Sequence, residues 1–265
     1  MKLQKTPMDL EDLQRLVASG GALHGWDFSR VRDARDPVPW DYLEIVRRYL
    51  RPADRVLDIG TGGGKKFLTL APYLGEGVGV DTSPAMVRAA RENTPPELAG
   101  QFTFELMDAR ALDLADRSFD LVLNRHSTII VPEVVRVLRP GGYFILQQVG
   151  GRNTQSVFDA FGWGSNGAYW AAVNREEGLP SQEITALAAA FQAAGCRVVA
   201  QAEYDVGCYF LDLESLVFWL QAAPLPEALD PEKHLEALNR LLADSTTASG
   251  IATNEHRELL IIHKQ

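Results

Sequence analysis

Residues 56–64 read Val-Leu-Asp-Ile-Gly-Thr-Gly-Gly-Gly, an apolar run that breaks into glycines and is followed by Lys65-Lys66-Phe67-Leu68. A strand that ends in such a turn and opens a helix constrains the chain more than any other feature. Glycine tolerates left-handed dihedrals that cost other residues a Cβ clash, and it lets backbone N–H groups come close to a ligand. A strand followed directly by a helix also begins a βα unit, and repeated βα units build a parallel sheet.

The pattern repeats along the chain. Strands are expected at 55–59, 77–80, 102–107, 119–124, 142–148, 197–203 and 258–263. Helices are expected between them at 65–74, 84–92 and 132–138, the second capped by Ser83 with Pro84 at its first position, where a missing N–H costs nothing. A helix from Thr6-Pro7 stops before Gly20-Gly21, an aperiodic loop runs to Pro39, and a helix over 40–50 ends before Pro52. Further helices are expected at 181–194, 213–222 and 231–242. Residues 151–180 mix glycine, asparagine and aromatics and are expected to be an insertion rather than a plain connection. The reading is one α/β domain over 1–265: an N-terminal helical and aromatic cap (1–51), a ligand-binding half (52–150), the insertion, and a C-terminal half (181–265) with helices between strands six and seven.

Composition excludes several classes. Acidic residues outnumber basic ones by 35 to 26, so the summed field repels polyanions and nucleic acid is not an expected partner. Cys196 and Cys208 lack CxxC spacing, which points to a reduced, cytoplasmic protein. The N-terminal segment carries acids and no apolar core, unlike a signal peptide, and no run has the length of a membrane span. His24, His126, His234, His256 and His263 show no metal spacing, so no metal is expected. Oligomeric state leaves no trace in the sequence.

The glycine spacing decides between ligand classes. A P-loop ending at Gly64-Lys65 needs glycine at position 59 and Ser or Thr at 66, which are Ile59 and Lys66. A dinucleotide fingerprint needs a small residue at 65 or 67, which are Lys65 and Phe67. The acid two residues before three alternating glycines, Asp58-Gly60-Gly62-Gly64, instead resembles motif I of the class I S-adenosylmethionine-dependent methyltransferases. The resemblance continues in order to about Gly150. Asp81 ends the second strand 23 positions after Asp58, where an acid can accept both ribose hydroxyls of an adenosine. Val137-Leu138-Arg139-Pro140-Gly141-Gly142 is similar to the turn before strand five in the small-molecule branch, closest in wording to quinone-biosynthesis-type methyltransferases.

The resemblance implies a Rossmann-like sheet of seven strands, ordered 3-2-1-4-5-7-6 with strand seven antiparallel and helices on both faces. It implies S-adenosylmethionine as cofactor, held by Asp58, Gly60, Thr61, Gly62, Asp81, Thr82, Asp108, Ala109 and Asn124. Asp58 would serve the methionine ammonium, and Asp108 with the Ala109 N–H the adenine edge. A solvated carboxylate is the alternative for Asp108. Asn124-Arg125-His126-Ser127 keeps the asparagine of amine-methylating relatives without their prolines and aromatic, which argues against adenine or glutamine methylation. His126 is either a general base for an acceptor O–H or N–H or a rim residue.

Aromatic residues outside the sheet suggest an acceptor pocket of Trp26, Phe28 and Trp163, the tryptophans as lid, with Gln147, Gln148 and Asn153 as polar groups. The alternative is a satellite hydrophobic cluster, favoured for Trp40 and Tyr42. The function expected is in-line methyl transfer to a small molecule. An RNA methyltransferase and a non-catalytic cofactor-binding or adaptor protein are the alternatives.

Overall fold

The structure is a computed structural model, which describes residues 7–19, 28 and 30–265. It opens with α1 (Leu10–Ser19), β1 (Asp33–Arg35) and α2 (Tyr42–Arg47). Regular alternation follows: β2 (Arg55–Ile59), α3 (Lys65–Leu68), β3 (Glu76–Asp81), α4 (Pro84–Asn93), β4 (Phe102–Leu106), β5 (Phe119–Arg125), α5 (Val131–Val137) and β6 (Leu138–Val149). The remainder contains α6 (Gln155–Phe161), α7 (Asn166–Glu176), α8 (Ile184–Ala193), β7 (Cys196–Phe210), α9 (Leu213–Ala222), α10 (Pro231–Ser245), β8 (Thr246–Thr247) and β9 (Gly250–Lys264).

The chain divides into two compact units. One comprises residues 39–149, 174–203 and 257–265, the other 1–38, 150–173 and 204–256. In the first, the strands follow the order β4-β3-β2-β5-β6-β9-β7. β2 pairs in parallel with β3 and β5, β3 with β4, and β5 with β6. β9 runs antiparallel to β6, with Tyr143 opposite His263. This is the order the family resemblance implied, with β9 as its reversed seventh strand. Because β2 continues outward to β3 while β5 lies on its other side, the carboxyl ends of β2 and β5 flank a topological switch point, where open α/β sheets bind ligands.

Both faces of this sheet are buried, which explains its near-continuous apolar strands. Leu57, Val122, Phe144, Leu146, Leu260 and Ile262 face α5 and α8, where the Phe144 and Phe191 rings lie 5.1 Å apart. Val56, Leu121, Leu123, Ile145 and Ile261 face the other way, against Tyr42 and Val46 of α2, Phe67 of α3 and Val87 of α4. Truncating a fully buried ring such as Phe191 to Ala would cost about 3–5 kcal/mol. Strand parity therefore assigns each residue to a face, and that assignment carries into the site.

The other unit has its own core of Leu13, Val157, Leu216, Leu220, Leu238 and Leu241. β1 pairs antiparallel with the end of β7, Asp33 opposite Phe210, and β8 pairs with β9.

Several expectations are corrected. Nine strands occur among the described residues rather than seven: β1 lies in a segment expected to be loop, and β8 precedes β9. α3 stops at Leu68 instead of 74, and a 3-10 turn over Ala71–Tyr73 follows. Pro72 explains the stop, since its ring would clash with the Leu68 carbonyl and it has no N–H to give. Residues 151–180 hold two helices, α6 burying Val157, Phe158 and Ala160 at helical spacing. β7 and β9 each run 15 residues, well past the segments expected. No helix of the described residues is long and apolar enough to cross a membrane.

Candidate functional site

The turn after β2 is tied to the end of β3. Gly60 N and Thr61 N both donate to Val80 O, at 2.9 and 3.0 Å. Gly62 N donates to Asp81 Oδ2 at 2.9 Å, and Ser83 N donates to Asp81 Oδ1 at the same distance. Two backbone N–H groups thus fix the carboxylate, one per oxygen. An ionised carboxylate has about four acceptor positions, so each oxygen keeps one for a ligand hydroxyl.

Two glycines are required for different reasons. Gly60 has φ 75°, and a Cβ there would lie 2.3 Å from Ser127 Cβ, so the loop after β5 packs directly on the turn. Gly62 has φ 56°, and a Cβ there would meet nothing within 4 Å. Its backbone borders open space beside the Asp81 carboxylate.

Asp58 lies in register with Gly79 of β3 and Leu123 of β5, on the face that packs against α2. Burial above all, with the charge of Asp81, pushes its carboxyl up to about 7, against the pull of the Thr61 hydroxyl and Arg125. A half-buried acid held this far above its ordinary range lacks a close cation, and an incoming cationic group would restore its charge. Glycine backbone next to open space, a fixed acid at the second strand and this cation-seeking acid suit the ribose and charged amino-acid end of S-adenosylmethionine.

The same face continues across β5 and β6. Tyr42 of α2 is buried, and its hydroxyl faces the carbonyls of Ile145 and Asn124 at 3.1 and 3.4 Å. Trp40 Nε1 donates to Gln147 Oε1 at 3.1 Å. These two aromatics lie on the same face of the sheet as Arg125, which follows Leu123 by two positions and pairs in register with Gln147. Sequence reasoning had given Trp40 and Tyr42 to packing and had assigned Arg125 nothing. The available signal was parity: 121, 123 and 125 share a face.

Residues 57–146 match the family described as a methyltransferase domain. These residues form a methyltransferase domain of the class I, S-adenosylmethionine-dependent type. Among its relatives is the 2-methyl-6-phytyl-1,4-hydroquinone methyltransferase of Synechocystis, 34% identical over 41% of this chain and 36% of that protein. The uncharacterized methyltransferase YcgJ of Bacillus subtilis is 35% identical over 39% of this chain and 44% of its own length. The chain thus spans less than half the length of these two relatives. The solved YcgJ structure shares the fold, with a TM-score of 0.59 at 22% identity over 84% of this chain and 98% of that one.

The methyltransferase domain holds its remaining expected site residues in differing settings. Asn124 is fully buried, its Oδ1 accepting from Ser127 N and its Nδ2 donating to Thr128 O, so its amide is spent on closing the loop after β5. His126 sits in that loop with φ 65°, a strained value for a non-glycine residue. Its ring is open to solvent on one side, yet the protein packed around it, with Arg125 and Arg257, pulls its pKa down to about 3. Asp108 accepts from Arg110 Nε and Nη2 at 2.9 and 2.5 Å, and that guanidinium holds it below the usual carboxylate range. Ala109 beside it is half-buried and Thr82 is exposed. Gln148 donates to Gln182 O and to Glu258 Oε2.

Phe28, Asn153 and Trp163 belong to the other unit. Trp163 is wedged against Phe158 and Phe161, and its Nε1 donates to Glu227 Oε1 at 3.2 Å. Asn153 Oδ1 accepts from His256 N, and Phe28 O accepts from Val31 N. Trp26 lies outside the described residues.

Proposed function

We propose that this chain transfers a methyl group from S-adenosylmethionine to a small-molecule acceptor. The observation that carries the reading is the open Gly62 backbone tied to Asp81, beside an Asp58 carboxyl that lacks a close cation. Asp81 would accept the two ribose hydroxyls with the lone pairs left free by Gly62 and Ser83. Asp58 would hold the ammonium end. When bound, the cofactor supplies an electrophilic methyl on a sulfonium. The protein's part is then alignment and exclusion of water, with few reacting side chains needed.

His126 belongs to the rim in this reading. A base is most effective when its pKa is near the working pH, and a ring held near 3 by burial, with two arginines adding to it, is a poor proton acceptor at neutrality. Its strained backbone instead fixes the turn that sets Ser127 against Gly60. Asp108 could meet the adenine edge only by releasing Arg110, which leaves the Ala109 N–H as the better adenine contact. Trp163 is anchored within its own unit by Phe158, Phe161 and Glu227.

Relatives named for a hydroquinone and for arsenite support a small acceptor. The acidic excess gives no footprint for RNA. Cys196 and Cys208 are both free, in keeping with the reducing cytoplasm. Calorimetry with S-adenosylhomocysteine tests the reading. Asp81→Ala should weaken binding by about 1–3 kcal/mol, as expected for charge-assisted hydrogen bonds lost from a partly buried site. Absence of binding by the wild-type chain would overturn it.

A further inference from the structure

Two hydrogen-bond donors stand at the ends of adjacent strands without an acceptor among the described residues. Arg125 closes β5 in register with Gln147 of β6. Residues paired in this way share a face of the sheet, here that of Leu123 and Ile145. Gln147 is only 6% exposed, and its orientation is determined chemically. Indole N–H only donates, so the oxygen of Gln147 must face Trp40, and its NH₂ points elsewhere. No described residue accepts from that NH₂.

Arg125 is exposed and forms no ion pair among the described residues, yet its charge is felt by Asp58, Tyr42 and His126. Arg125 leaves β5 on the same face as Leu123, which is also the face of Asp58 on β2 and of Tyr42 packed against it. Arg257 adds a second positive charge within reach of His126.

We propose that Arg125 and the Gln147 amide nitrogen form an oxyanion-binding pair in the acceptor site, so that the methyl acceptor is a small organic anion bearing a carboxylate or phosphate. The inference rests on the methyl-transfer reading above and adds a substrate class to it. A guanidinium presents parallel N–H donors that match a carboxylate or phosphate, and a neighbouring amide supplies a further donor to the same group. The acceptor, rather than the cofactor, is the source of this anion. Asp58 lies two strand spacings, about 10 Å, from Ile145, and Gln147 is two residues further along β6. The ammonium and carboxylate of one α-amino acid are bonded to a single carbon, so an amino-acid end held at Asp58 does not extend to Gln147. A second molecule does.

The test uses the full chain with methyl-labelled S-adenosylmethionine and a small-molecule extract of the source cells, followed by separation of labelled products on an anion exchanger at neutral pH. The expected product is retained as an anion. With the acceptor then purified, Arg125→Gln and Gln147→Glu should each raise its KM at least tenfold with S-adenosylhomocysteine affinity unchanged. The second variant keeps the oxygen that Trp40 requires and replaces only the NH₂, and Arg125→Lys should recover part of the loss. Label in a neutral or cationic product would overturn the proposal while leaving the methyltransferase reading intact. So would a fall in S-adenosylhomocysteine affinity in Arg125→Gln equal to the loss of transfer, which would assign the arginine to the cofactor. Label in no product would overturn both.

Discussion

The β2–β3 edge and the β5–β6 edge of the same sheet are built on different logics. At β2–β3 the groups proposed to meet the cofactor are backbone N–H and two carboxylates at fixed spacing, so Gly60, Gly62, Asp58 and Asp81 could be proposed from the chain alone. At β5–β6 the groups are side chains whose role depends on face and partner. Asn124, expected at the cofactor, closes a loop, while Arg125 next to it lies in register with Gln147 on the face shared with Leu123. Backbone chemistry is written in glycine and spacing. Side-chain chemistry is decided by what each strand position packs against.

The largest expected effects separate two glycines within the first edge. Gly60→Ala combines a left-handed φ with a Cβ placed 2.3 Å from Ser127, and should destabilise the fold by about 2–5 kcal/mol in thermal or denaturant unfolding. Gly62→Ala carries only the conformational cost, about 1–2 kcal/mol, because its methyl meets open space. It should still lower S-adenosylhomocysteine affinity at least tenfold, since that space is the ligand's. If Gly62→Ala binds as wild type does, the turn is structural and the contrast between the edges disappears.

Asp58 gives a pH-dependent test of intermediate size. Its folded pKa of about 7 lies above the value near 3.9 of an unfolded aspartate, so the folded state binds the extra proton between those limits. Stability of the ligand-free chain should therefore fall as pH rises from about 4 to 7. Asp58→Asn removes the ionisation and should be more stable than wild type at pH 8, with the advantage shrinking steadily as pH falls. Melting curves across that range give the answer, and parallel curves for the two proteins would contradict the burial argument.

The smallest effect is expected at β4. Asp108 is engaged by Arg110 near the surface, so Asp108→Ala should change S-adenosylhomocysteine affinity less than twofold. A loss above tenfold in calorimetry would mean that the carboxylate leaves Arg110 to meet adenine. The first edge would then extend one strand further than its geometry indicates.

The sequence by itself determined the sheet, its order through the family resemblance, and the ligand-facing turn. Apolar runs buried on both faces and glycines at fixed spacing leave a local signature that needs no knowledge of neighbours. It also placed Asp81, because an acid at the end of the second strand is a property of distance along the chain. It failed where distant segments supply the partner. Residues 151–180 were legible as an insertion but not as helices, because their glycines are local and the core that folds α6 is not. β1 spans only three residues and exists because β7 offers its end as a template. His126 carries no mark in the sequence of the burial that, with Arg125 and Arg257, keeps it neutral. Gln147 could be suspected of polarity but not of direction. Only the tertiary structure, by setting Trp40 against its oxygen, decided which way its NH₂ turns, because an amide's orientation is fixed by its partner and not by its own residue type.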